Sequence, residues 1–188
     1  MSSHHIIREK QEPALLILSL EDFPDDWLGQ LLEWSPTVLA AADVAESLQC
    51  QDIKVDIILG ADVLPAQEHV NPVTTTVEDV LITGLQLLKT EGYPAVNIVS
   101  NRFNADAIRS FLPALDVVVY HQQQKIVAIR SGFSKWLPAG RVVRILEHLP
   151  NLVYTNLAGV APDVYKIVQD GLFSISFDGD YLFIAEEL

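Results

Sequence analysis

The chain has 188 residues, 49% of them hydrophobic and 20% charged, enough for one large domain or two small ones with real cores. Its formal net charge of -13 opposes nonspecific binding to nucleic acid, which depends on Lys and Arg neutralising phosphates. No apolar run reaches the roughly 18 residues that a membrane helix needs, and the single cysteine, Cys50, forbids an intramolecular disulfide and fits a reducing cytoplasm.

Residues 1–13 lack the apolar centre of a signal peptide and read as a polar arm. The apolar run ALLILSL (14–20) predicts a strand. In FPDDWLGQLLEW, Pro24, Asp25 and Asp26 suit a helix N-terminus, and Trp27, Leu28, Leu31 and Leu32 recur at helical spacing. A strand TVLAA (37–41), a short helix DVAESLQ and a strand VDIIL (55–59) ending at Gly60 follow. From Ala61 to Val73 two prolines and no periodicity predict a loop. TTTVEDVLITGLQLLKTEG predicts a helix with a threonine cap, closed by Gly92. AVNIV, a helix near 104–112 and DVVVY complete an alternation that indicates a parallel sheet with crossover helices.

After Tyr120 the pattern changes to short strands: KIVAIRSGF, RVVRIL, LVYTNL, DVYKIV, LFSISF and YLFIAEE. Asp-Gly pairs at 170–171 and 178–179 carry the turn chemistry of hairpins. The expected architecture is an αβ domain with a parallel sheet at 14–120 and an antiparallel β-sandwich at 124–188, divided at HQQQ. Open parallel sheets bind ligands beyond the carboxyl ends of their strands, so residues following those strands are the candidates for function.

Asp43 sits where a strand meets a helix and serves either as an N-cap or as a ligand. Asp62 is either a solvated turn residue or a ligand. Glu78 and Asp79, in a first helical turn, either answer the helix dipole or join the same site. Arg102, after the strand NIV, suits an anion contact or a surface ion pair. Trp136 beside Lys135 either stacks on a bound ring or packs at a sandwich edge. His69, His121 and His148 show no metal-ligand spacing, no glycine-rich phosphate loop is present, and GFSKW is not a nucleophile elbow.

Over residues 14–60 the segment AADVAESLQCQDIKVDIILGAD resembles the thiamine pyrophosphokinase family, with Asp43 at the first acidic position of that layout. The resemblance implies a homodimer of αβ-plus-sandwich subunits transferring pyrophosphate from ATP to thiamine with Mg2+. It places Asp43, Asp62 and Asp79 in catalysis, Asp43, Asp62 and Glu78 on metal, and Arg102 and Asn104 on the nucleotide. Four departures stand out. Only Asp62 remains of the two acids after Gly60, and EDVLITGL lacks the family's lysine. SNRFNA keeps Arg102 but has Asn104 and Ala105 for an acid and a histidine. No secure counterpart of the sandwich's Ser-Asn pair precedes GLFSISF. The readings are a pyrophosphokinase with weak or lost turnover, or a non-catalytic relative that binds a nucleotide or thiamine-like molecule or only dimerises. Neither involves nucleic acid or membrane.

Overall fold

The computed structural model describes residues 10, 12–60, 71–73 and 80–188. The chain divides into two compact units, residues 1–117 and 118–188. The first is an αβ unit built on a parallel sheet, and the second is an antiparallel β-sandwich.

In the first unit, β1 (Ala14–Ile17) is buried at all four positions, as a strand covered on both faces must be. Helix α1 (Asp25–Leu32) starts after Pro24, whose ring fixes φ at -67° and donates no amide, with Asp25 and Asp26 in its first turn. Then come β2 (Val38–Ala41), α2 (Ala42–Cys50) and β3 (Ile57–Leu59). β4 (Asn71–Val73) precedes α3 (Val80–Thr90), β5 (Ala95–Val99) and α4 (Ala105–Arg109). The strands lie in the order β5-β1-β2-β3-β4, every pair parallel. Gly84 lets α3 sit close on the sheet, because a Cβ there would come within 3.0 Å of Leu16 and Leu59. Gly92 ends the helix in the left-handed region at φ 76°, and the Tyr93 amide donates to the Leu88 carbonyl at 3.0 Å.

Two local expectations change. The stretch expected to loop from 61 to 73 ends in strand β4, paired with β3 from Ile57↔Asn71 to Leu59↔Val73. Three residues with a proline carry no period, and proline is tolerated at a sheet edge where its missing amide costs nothing. Helix α4 is five residues rather than nine, and the chain tightens into turns through Ala114. Pro113 explains the early end, since it disfavours helical backbone at Leu112 and cannot donate. The threonine cap expected near 74–76 lies outside the described residues.

The second unit begins within β6 (Asp116–His121) and continues with β7 (Gln124–Ile129), β8 (Phe133–Leu137) and β9 (Val142–Ile145). β10 (Val153–Thr155), β11 (Leu157–Ala161), β12 (Val164–Ile167), β13 (Gly171–Ser176) and β14 (Leu182–Glu187) complete it. One antiparallel layer runs β11-β12-β9-β14-β7-β6 and the other β10-β13-β8. Between them Val143, Ile145, Phe173, Ile175, Leu182 and Ile184 are 0–2% exposed, which makes the sandwich core. At its margin Lys135 Nζ binds both carboxylate oxygens of Glu186, at 2.7 and 2.6 Å, linking the two layers.

The Asp-Gly pairs do not make hairpins. Asp170-Gly171 leads from β12 to β13 and Asp178-Gly179 from β13 to β14, and each connection passes from one layer to the other. Asp170 instead accepts from the Ala139 amide at 2.7 Å. Two-residue turns instead close β6–β7, with His121 opposite Gln124 across Gln122 (φ 47°) and Gln123 (φ 59°), and β11–β12, with Ala161 opposite Val164 across Pro162 and Asp163. Positive φ at both Gln122 and Gln123 is the type I′ arrangement, which matches strand twist even without the usual Asn or Gly.

Candidate ligand-binding edge of the parallel sheet

From β1 to β4 the strands step in one direction, and β5 then returns to the other side of β1. The direction therefore reverses between β1 and β5, where open parallel sheets leave a crevice outside the carboxyl ends. Two loops meet there. The amides of Leu18 and Ser19 both donate to the Val99 carbonyl, at 2.8 and 3.3 Å. Ser19 Oγ accepts from the Glu21 amide at 3.2 Å, and Ser100 Oγ accepts from the Arg102 amide at 3.1 Å. Asn101 Nδ2 donates to Glu21 Oε2 at 2.7 Å and ties the two loops together.

Arg102 stands on this tied loop with an exposed side chain. It forms no ion pair among the described residues, so its guanidinium is available to an anion. Asn104 is the N-cap of α4: Oδ1 accepts from the Ala107 amide at 3.1 Å. Its carbonyl oxygen thus already has a structural duty. Ala105 follows as the first residue of that helix.

Asp43 lies at the carboxyl end of β2, but it does not cap α2. The cap position is Ala41, with no side-chain bond, and Asp43 is exposed in the first turn, where the helix dipole favours an acid. Its placement follows from Gly60. A Cβ on Gly60 would sit 2.7 Å from Ala42 Cβ, so only glycine lets the end of β3 press against the start of α2. Two strand spacings, roughly 10 Å, separate the ends of β5 and β2, the strands that Arg102 and Asp43 follow along this edge. Asp62, Glu78 and Asp79 lie outside the described residues.

The electrostatics of this edge are unfavourable for a polyphosphate. Residues 1–117 hold 18 acids against 6 bases, a formal -12, whereas residues 118–188 hold 7 acids against 6 bases. Nearly the whole acidity of the chain thus belongs to the αβ unit. Among the described residues, no three His, Cys, Asp or Glu side chains converge as a metal site requires. The described carboxylates at this edge, exposed Asp22 and Asp43 and a Glu21 already bonded to Asn101, do not converge into the set that hard Mg2+ prefers.

Ser19, Glu21, Ser100 and Asn101 escape a reading of the sequence that looks for acids and cations. Their signal is positional: each falls within four residues of the end of β1 or β5. Trp136 is no packed edge aromatic. It is 58% exposed and pairs across β8–β13 with Leu172, itself 62% exposed. Because Phe173 and Ile175 point into the core, Leu172 and Trp136 occupy the outer face of the three-stranded layer.

No protein-family model matches the chain, and no curated protein does. Solved structures do. A probable thiamine pyrophosphokinase from Staphylococcus saprophyticus superposes with a TM-score of 0.65 at 10% identity, over 93% of this chain and 98% of that one. Thiamin pyrophosphokinase from Geobacillus thermodenitrificans gives 0.65 at 11% identity, over 93% and 97%. That from Candida albicans gives 0.60 at 11% identity, over 94% and 90%. At such identities the likeness speaks for the fold alone, and it runs through both units. No helix among the described residues is long and apolar enough to cross a membrane. In its fold, this chain is similar to the thiamine pyrophosphokinases.

Proposed function

We propose that the chain is a ligand-binding relative of the thiamine pyrophosphokinases in which pyrophosphate transfer is lost or nearly lost. The observation that carries this reading is the helix start after β5. Where the resemblance puts an acid and a histidine, Asn104 is committed to capping α4 and Ala105 is the next residue. Phosphoryl chemistry draws on several charged groups acting together, and removal of members of such a set is not repaired by those that remain.

Binding has better support. Arg102 presents a guanidinium at the crevice between β1 and β5, on a loop held by Ser100 and Asn101. The ligand class is a nucleotide or another phosphate ester, with a thiamine-like molecule as second ligand. The opposing reading, an active enzyme using ATP and Mg2+, draws on Asp43 at the same sheet edge, with Asp62, Glu78 and Asp79 as further donors. Association belongs to the proposal as well. The exposed apolar residues Trp136, Leu172 and Val153 on the three-stranded layer suit a homodimer contact. A cytoplasmic setting belongs to the proposal too, and the single cysteine fits it.

The test is calorimetric titration with nucleotide, with and without Mg2+ and thiamine, on the parent protein and Arg102→Ala. Loss of one charge-assisted phosphate contact is expected to weaken binding about tenfold or more, with no change in Tm. Equal affinity in the variant removes Arg102 from the site and the proposal with it.

A further inference from the structure

The αβ unit has a second concavity, at the opposite end of its sheet. A cleft of about 410 Å³ opens at the amino ends of β2 and β3, in the size range of small-molecule pockets. Leu32, Pro36, Val38 and Ile53 give it apolar walls, and Asp52, Lys54 and Asp56 give it charge. Strand direction separates it from Arg102 and Asp43, which lie at the carboxyl ends, so it is independent of the site discussed above.

The charges in the cleft are unequal in kind. Asp56 is satisfied twice over: Oδ2 accepts from the Val38 amide at 2.9 Å and Oδ1 pairs with Lys54. Lys54 and Asp56 therefore offset each other. Asp52 is exposed, and its carboxylate has neither a hydrogen bond nor an ion pair among the described residues. Its backbone is held in the left-handed region at φ 57° by a turn in which its amide donates to the Gln49 carbonyl at 3.0 Å. An unpaired carboxylate on a backbone held by a turn thus lines a half-apolar cleft in a unit of formal charge -12. Coulomb attraction selects cations and the walls select a body that sheds water.

We propose that this cleft binds a small organic cation with a flat apolar body, held by Asp52 and sandwiched among Leu32, Pro36 and Ile53. Anions meet the unpaired Asp52 and a Lys54 already paired with Asp56, and a small inorganic cation gains nothing from the walls.

The experiment follows backbone amide chemical shifts of the full chain during titration with N-methylquinolinium, neutral quinoline and a quinoline carboxylate. The expected result is saturable shifts at residues 35–38 and 52–56 with the cation, and weaker binding of the neutral ring. Asp52→Asn should lower affinity for the cation about fivefold, an effect that shrinks at high salt. Asparagine tolerates positive φ, so this change removes charge without disturbing the turn. Asp22→Asn removes the same charge at φ 57°, at the other end of the sheet, and should leave affinity unchanged. The proposal is overturned by equal binding of cation and neutral ring, by preference for the carboxylate, by shifts centred elsewhere, or by equal effects of the two variants.

Discussion

The contact between Gly60 and Ala42 makes a quantitative prediction about how the sheet edge is built. Gly60→Ala places a methyl 2.7 Å from Ala42 Cβ, where carbon atoms in comfortable contact stand ~3.5–4.0 Å apart. Overpacking of this kind costs about 1–3 kcal/mol. The backbone adds to it, because φ at Gly60 is 150° and a side chain there costs about 1–3 kcal/mol. The sum is a loss of about 2–6 kcal/mol, read from urea unfolding as a lower midpoint at unchanged slope. A double-mutant cycle separates the two parts. Ala42→Gly removes the partner methyl, so Gly60→Ala in that background keeps only the backbone cost, and the coupling should be about 1–3 kcal/mol. Ala42→Gly alone should cost at most about 1 kcal/mol as a helix propensity loss. A Gly60→Ala protein within about 0.5 kcal/mol of the parent, or one equally destabilised in both backgrounds, refutes the packing argument.

Asn104→Ala should cost about 1 kcal/mol through the lost cap of α4, and Asn104→Asp should recover it, because aspartate caps equally well. Thermal unfolding of the three proteins checks this, and a stability-neutral alanine variant shows that the cap does not matter. Tyr120 is buried, and burial pushes its phenol above the ordinary value of 10.0. A raised folded value means a stability contribution intact below the unfolded value and lost as pH rises through the folded one, so stability should fall above pH ~10. Tyr120→Phe should flatten that fall in denaturant titrations across the range, and an unchanged slope contradicts the burial argument.

Much of the fold was legible because both halves obey strong periodicity rules. Strands β1 and β2 read as apolar runs because every position in them is buried, and the later strands read as short alternating ones. Failures came where a rare conformation or a very short element decided the outcome. β4 has three residues and a proline, and nothing local marks it. The β6–β7 turn is Gln-Gln, whereas both Asp-Gly pairs join different layers, so turn composition pointed to the wrong places. The places of Arg102 and Asp43 just beyond strand ends were legible from the apolar runs before them. That Asn104 is a cap and Asp43 is not depends on helix starts shifting by a residue or two, below what sequence pattern can set. The loop bond between Asn101 and Glu21 spans 80 residues and exists only once β1 and β5 are neighbours.

Coupled detection of AMP release from ATP, Mg2+ and thiamine decides whether this thiamine pyrophosphokinase-like fold binds ligand without competent transfer, as proposed. The parent protein should turn over far below an active pyrophosphokinase assayed beside it, and Asp43→Ala should not change the residual rate. Robust AMP release that depends on thiamine and vanishes in Asp43→Ala contradicts this and makes the chain an enzyme.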